Sequence, residues 1–349
     1  MARGYVRNIQ DAAGPESHDR RPFSKAIDVV TVPEAATRVA VVQMACELNA
    51  FAANTARASR HLAAAAAQGA VLALLPELMP NGYTLTHALW AGAEPFDGPT
   101  LAWLRRECTM HRMMIGTTFL EADGEDFFNT FVLVGADGSV LGKVRKNPPA
   151  SFEAWFFRAG DTRHWFETPI GRVGVGICFE NALYDHYLTL HEADVDLMLR
   201  PFSGASFEAR FPIRAADVAA INEALRTGTA EAARLTGRPV LMANKVGRLV
   251  TALSMGGRVQ TVEFPGYSAI ADGDGRLLGQ LGPGEEGAVI GDVRIDPARK
   301  AKAPAPRRYG KWTAPLPWWA VAWDITGCLG QRAYSRSASR RAAALAAQA

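Results

Sequence analysis

Arg172-Val-Gly-Val-Gly-Ile-Cys-Phe-Glu-Asn181 is the stretch on which the reading of this chain turns. Val173, Val175 and Ile177, spaced by glycine, read as a short buried strand. The strand runs straight into Cys178 and then into Phe179, Glu180 and Asn181. A reactive thiol at the C-terminal end of a strand stands where α/β folds gather their chemistry, in the crevice outside the strand ends. Two charged residues stand in the same kind of place. Glu77 follows the apolar run Val71-Leu-Ala-Leu-Leu75 and Pro76, and Lys146 closes Ser139-Val-Leu-Gly-Lys-Val-Arg-Lys146. A thiol, a carboxylate and an amine at three strand ends can converge on one point. They are the minimum set for a cysteine-nucleophile hydrolase with its own base and oxyanion partner.

Working outward, strands are expected at 38–46, 71–75, 113–119, 172–177, 195–200 and 239–244. A hairpin over 129–134 and 140–146 turns at Ala136-Asp-Gly138, and a second pairs 266–271 with 277–281. A last strand is expected at 288–293. Helices are expected at 54–68, 100–112 and 215–236; Gly69 and Gly237 stop the first and the last. Several strands are apolar on both faces, as in sheets covered by helices on one side and by another sheet on the other. Residues 1–36 are polar and aperiodic, an expected poorly ordered extension. The main domain is expected over 37–298, with a basic, Trp-rich extension over 299–349.

The segments LLPELMPNGY around Glu77, GKVRKNPP around Lys146 and GVGICFEN around Cys178 resemble the nitrilase superfamily of carbon–nitrogen hydrolases. The order Glu, Lys, Cys is that family's order, and the separations, 69 residues (146 − 77) and 32 (178 − 146), are ordinary for it. VAVVQMAC, FEAWFFRAGD, ADVDLMLRP and PVLMANKVG extend the likeness over most of the chain. The resemblance implies a four-layer α-β-β-α sandwich. Two departures leave the substrate open. Many amidase-type members carry an aspartate two residues after the cysteine, whereas this chain has Glu180-Asn181, closer to the nitrilase branch. The lysine motif continues into Asn147-Pro-Pro149 rather than His-Leu/Ile-Pro.

Each candidate has a job that its chemistry suits. Cys178 is the expected nucleophile; a free thiol, with a pKa of about 8.5, needs a base or a positive neighbour. Glu77 is the expected general base, and burial after an apolar run is expected to raise its pKa. Lys146 is the expected oxyanion partner. Alternation puts it on the face of Val144 and opposite Lys143 and Arg145, and an inward lysine is costly without a partner. The family likeness makes Glu153 a second glutamate that orients substrate or assists proton transfer. Phe179, Asn181, Tyr83 and Trp155 are candidate pocket residues, followed by Phe156 and Phe157, and Arg200 is a candidate carboxylate clamp. No His, Cys or carboxylate cluster has ligand spacing, so neither metal nor cofactor is expected.

Among the 349 residues the hydrophobic share is 48% and the charged share 21%, a globular balance. No apolar run approaches the roughly 20 residues of a membrane span. The N-terminus lacks the apolar core of a secretory signal. Four scattered cysteines, Cys46, Cys108, Cys178 and Cys328, suit a reducing cytoplasm. The net charge of +3 conceals a basic tail: ten Lys/Arg against Asp324 after position 298, with four tryptophans at 312, 318, 319 and 323. That composition fits an arm across a homodimer or larger homo-oligomer, or else a weak membrane contact. The acidic remainder opposes nucleic acid. The expected activity is hydrolysis of an amide or N-carbamoyl substrate through a thioester. Nitrile hydrolysis is the close alternative, and a non-catalytic interaction protein on the same fold the distant one.

Overall fold

The computed structural model describes residues 36–206, 208–209, 213–252, 259–296, 307–315 and 321–349. The expected N-terminal extension lies, but for Ala36, outside them. One sheet is built on β1 (Ala36–Ala45), which pairs in parallel with β2 (Leu72–Leu74). It continues through β3 (Met114–Asp123), β4 (Asp126–Val134) and β5 (Val140–Arg145). On the other side β1 meets β10 (Lys245–Ala252), itself paired with β11 (Val259–Pro265), and β14 (Gly287–Arg294). The second sheet runs β13 (Leu277–Gln280), β12 (Ala269–Ala271), β9 (Val240–Ala243), β8 (Leu197–Pro201), β7 (Gly171–Val175) and β6 (Trp165–Thr168).

The period-2 alternation of strands sorts these side chains into layers. Val39 and Val41 of β1 pack with Leu72, Leu74, Phe131 and Val144 against Val173, Val175, Leu197, Leu199 and Leu241 of the second sheet. The intervening Ala40 and Val42 face the opposite way. They meet Ala58, Leu62 and Ala65 of α1 (Phe51–Ala67), with Leu101 and Leu104 of α2 (Pro99–His111). On the far side of the second sheet, Met198 and Val240 pack on Tyr187 and Leu190 of α3 (Tyr184–Glu192). The same cluster takes in Ala232 and Ala233 of α4 (Ala215–Thr236). The layers are therefore helix, sheet, sheet, helix.

Helix α4 spans the expected residues. Gly237, at φ 68°, takes the left-handed position that closes it and donates to the Ala233 carbonyl. Elsewhere the structure departs from the expectation. The strand expected from 266 begins only at Ala269, because Gly266 (φ 92°) and Tyr267 (φ 65°) bend the chain first. Strands β6, β10 and β11 and helix α3 were not anticipated: β6 has only four residues, β10 and β11 interrupt their apolar residues with charged ones, and a nine-residue helix carries little periodic signal.

The described part of the tail folds onto this same domain. Helices α5 (Val321–Arg336) and α6 (Ala338–Ala346) follow residues 307–315. The Thr313 N–H donates to Ala182 O (3.0 Å), and the Tyr334 hydroxyl accepts from the Phe127 N–H (2.8 Å). Trp318 and Trp319 lie outside the described residues. No helix among the described residues is long and apolar enough to cross a membrane.

Phe131 is fully buried between the sheets and stacks on Phe166, with 6.4 Å between ring centroids. Phe131→Ala is expected to cost about 3–5 kcal/mol, read as a lower denaturation midpoint with an unchanged slope.

Candidate active site

Glu77, Lys146, Glu153 and Cys178 come from three loops, those after β2, β5 and β7, with Lys146 and Glu153 sharing the second, and they form one cluster. Glu77 follows β2; its N–H is held by the Phe202 carbonyl at 3.2 Å. Lys146 follows β5, its N–H bonded to Asn129 O at 2.9 Å. The alternation along β5 comes out as expected. Lys143 and Arg145 both pair with Glu121, at 2.5 and 2.8 Å, while Val144 faces the second sheet and Lys146 is completely buried. Glu153 sits in a single 3-10 turn, Ser151–Trp155, and accepts the N–H of Ala150 at 2.7 Å.

The lysine is the centre of the arrangement. Its ammonium lies 2.7 Å from Glu77 Oε1 and 2.8 Å from Glu153 Oε2, with none of the three side chains more than 2% exposed. Asn129 Nδ2 adds a bond of 2.8 Å to Glu77 Oε1, and Tyr83 Oη donates to Glu153 Oε1 at 2.9 Å. Phe157 lies beneath the ammonium, 6.0 Å from it. Glu77 Oε2 is buried with no hydrogen-bond partner among the described residues, so one carboxylate oxygen is held ready to accept a proton.

Cys178 opens the 3-10 turn Cys178–Ala182 in the left-handed region, at φ 49°. A non-glycine residue holds that conformation only where its surroundings over-determine it. Asn181 supplies part of the restraint: its amide donates to Gly176 O (2.7 Å) and Cys178 O (2.9 Å). Arg200 holds Asn181 in turn, donating to its Oδ1 at 3.0 Å and to Gly228 O at 2.5 Å. The expectation that Arg200 clamps a substrate carboxylate is thus corrected. Its buried guanidinium braces Asn181 of the turn Cys178–Ala182 against α4.

The electrostatics of the cluster are uneven. Burial pushes the Cys178 thiol well up and the adjacent Glu77 adds to this; Lys146 offsets only part of it. The thiol is therefore protonated at rest. Burial also pushes Glu77 up, but the Lys146 ammonium, helped by Lys245 and Asn129, outweighs it and leaves Glu77 below the ordinary carboxylate range. This reverses the expectation that burial would raise it. The raised carboxyl is Glu153, where burial and the charge of Glu77 exceed the pull of Lys146.

The other pocket candidates divide. Tyr83 belongs to the cluster through Glu153. Phe179 packs edge-on against Trp312 and Trp323, at centroid distances of 5.6 and 5.8 Å. Trp155 turns toward α5, so close to Gly330 that a Cβ there would sit 2.5 Å from its ring. Phe156 packs with His87 and Trp90. Residues the sequence reading passed over are Asn129, Lys245 and Glu180. Asn129 and Lys245 are polar groups inside or directly after apolar runs, a signal open to view. Among the described residues no group of His, Cys, Asp or Glu could hold a metal ion.

Residues 38–303 match the family model for carbon–nitrogen hydrolase. The chain belongs to the carbon–nitrogen hydrolase family. Curated relatives of this chain include the N-carbamoylputrescine amidase of Solanum lycopersicum, 26% identical over 74% of this chain and 86% of the relative. The bifunctional nitrilase/nitrile hydratase NIT4A of Lupinus angustifolius is 31% identical over 42% of this chain and 48% of the relative. The chain thus spans about half the length of the plant nitrilases it matches. Among solved structures, a carbon–nitrogen hydrolase from Helicobacter pylori G27 superposes with a TM-score of 0.66 at 18% identity, over 75% of this chain and 90% of that one. An amidase from Nesterenkonia sp. gives 0.62 at 20% identity, over 76% and 94%. These likenesses establish the fold.

Lys146→Met leaves two buried carboxylates without their cation. It is expected to lower stability at pH 7 by about 3–5 kcal/mol. The deficit should shrink as pH falls through the carboxylate range, because a protonated partner needs no counter-charge. Denaturant melts of both proteins at pH 7 and pH 5 measure it.

Proposed function

We propose that this hydrolase cleaves a small amide or N-carbamoyl substrate through a thioester on Cys178, releasing an amine or ammonia. The observation that carries the reading is the buried Lys146 ammonium shared by Glu77 and Glu153 beside a conformationally strained cysteine. The similarity to an N-carbamoylputrescine amidase over 74% of the chain favours the amide class.

In this reading the Cys178 sulfur attacks the substrate carbonyl carbon as its proton passes to Glu77. The unpartnered Oε2 of Glu77 is the acceptor. Glu77 is ionised at neutral pH because Lys146 holds it so. The thiol is neutral until attack, so no bare thiolate is buried at rest. As the C–S bond forms, negative charge appears on the carbonyl oxygen, and Lys146 provides fixed positive charge for it in a site shielded from water. Collapse of the tetrahedral intermediate breaks the C–N bond, and Glu77 returns the proton to the departing nitrogen. Water, deprotonated by Glu77, then attacks the thioester; acid leaves and the thiol is restored. Glu153, bonded to Lys146, Tyr83 and the Ala150 N–H, orients the ammonium.

Nitrile hydrolysis is a second reading, supported by Cys178-Phe-Glu-Asn181 and by the 31% identity to a bifunctional nitrilase/nitrile hydratase. The four cysteines are all free, which supports a cytoplasmic setting. A homodimer or larger assembly is supported by exposed Ile325 and Leu329, one turn apart on α5. Light scattering on the eluting protein should give a mass at least twice 37.6 kDa, and a monomer would refute it.

Intact-protein mass spectrometry during exposure to amides, carbamoyl amino acids and nitriles tests the chemistry. A substrate-dependent acyl adduct is expected on the wild type and none on Cys178→Ala; absence of both adduct and ammonia across the panel would favour a non-catalytic role. Glu77→Gln should lower kcat at least 10²-fold, the usual scale of a lost general base. With Glu153 raised and Glu77 depressed, Glu153→Gln should move the acid limb of the remaining kcat/KM profile to lower pH, since only the low carboxylate still titrates there.

A further inference from the structure

Glu180 is absent from the chemistry above, yet it is completely buried and saturated with donors. One carboxylate oxygen, Oε2, accepts the N–H of Ile177 at 2.6 Å. The other, Oε1, accepts the N–H of Asn147 at 2.6 Å and faces His164 Nε2 at 2.8 Å. Ile177 directly precedes Cys178, and Asn147 directly follows Lys146. A single side chain therefore ties the backbone that carries the thiol to the backbone that carries the ammonium.

We propose that Glu180, held by His164, is a positioning residue that fixes the Cys178 sulfur against the Lys146 ammonium. The inference rests on the reading of Cys178 as nucleophile. Local geometry explains how Glu180 is set. It is the third residue of the turn Cys178–Ala182 and reaches back to the N–H just before it, as Glu153 does for Ala150 in the turn Ser151–Trp155. The long side chain then leaves a second oxygen for the lysine loop.

His164 supplies the counter-charge. A carboxylate only accepts, so Nε2 donates, and the ring also bonds the Thr162 backbone. Acceptors at both contacts favour the protonated ring. Burial is the largest single influence and would lower its pKa, but the bond to Glu180, the charge of that carboxylate and the Thr162 backbone together outweigh it and raise the value. The ring faces Glu180 on the nucleophile turn and, across 5.7 Å, His186 of α3. His186 is pushed down to about 3 by burial, with His164 and Arg200 adding to it, and so stays neutral over the relevant range. The sign follows: the pair is complete below the ordinary histidine range and is lost as pH rises through the raised value.

The test reads the reactivity of Cys178 without any substrate. The full-length protein is treated with iodoacetamide across pH 6–10, and alkylation at Cys178 is followed by peptide mass spectrometry. Glu180→Gln, which keeps the shape and removes one acceptor and the charge, should slow alkylation at least tenfold relative to wild type at pH 7. His164→Asn should slow it too, but the wild-type advantage over His164→Asn should vanish at alkaline pH, where wild-type His164 is itself neutral. A purely packing role would leave that ratio independent of pH. An unchanged rate in folded Glu180→Gln, or a pH-independent ratio for His164→Asn, overturns the proposal; if Glu180→Gln fails to fold, the His164→Asn ratio decides it. Failure of the underlying reading looks different: Cys178 in the wild type would alkylate no faster than it does in Lys146→Met.

Discussion

One buried ammonium between two buried carboxylates is the constraint on which the site depends. Lys146 touches Glu77 and Glu153 at under 3 Å, with almost no solvent at any of the three. Removing ions from water costs several kcal/mol each, and the attraction between them repays this only with good geometry and further hydrogen bonds. Asn129, Tyr83 and the Ala150 N–H provide those bonds. The shortage of positive charge makes the two carboxyls unequal. Glu77 holds the lysine well enough to remain ionised, and Glu153, with the charge of Glu77 nearby, is pushed the other way. Unequal carboxylates of the same chemical type can take different roles in proton transfer.

The fold serves that constraint by fixing the strand ends from which the site loops leave. The apolar layer between the sheets, from Val39 and Phe131 to Val173 and Leu241, sets the spacing from which Lys146 and Cys178 project. Cys178 adopts a left-handed backbone, and its neighbours hold it there: Asn181 through two carbonyls, Arg200 through Asn181, and Glu180 through Ile177 and Asn147. The tail adds a further wall. Trp312 and Trp323 close on Phe179, and α5 lies over the turn that carries Glu153. A segment that reads in sequence as an arm or a membrane contact thus also bears on the surroundings of the turns that carry Glu153 and Cys178.

Much of the fold was legible because burial writes itself into periodicity. β1 alternates between two cores, so Val39-Ala-Val-Val42 is apolar without a break, and α4 carries both its helical pattern and its closing glycine in the sequence. The candidate site was legible for a related reason: Glu77, Lys146 and Cys178 are chemically costly residues directly after apolar runs, and such placement is seldom neutral. Short β6 and the charge-interrupted pair β10–β11 left too little pattern to be seen. Arg200 was misread because position at a strand end does not reveal whether a long side chain reaches into the crevice or back to brace a loop.

The sequence by itself determined which residues could be reactive, the order in which they occur and the layered class of fold, because these follow from local burial, alternation and residue chemistry. Only the tertiary structure decided that two carboxylates share one ammonium, and hence that Glu77 is depressed rather than raised. It alone also decided that Glu180 joins the loops of Lys146 and Cys178. The shift of an ionisable group is a sum over neighbours brought from distant parts of the chain, and a sequence names those neighbours without saying which of them meet.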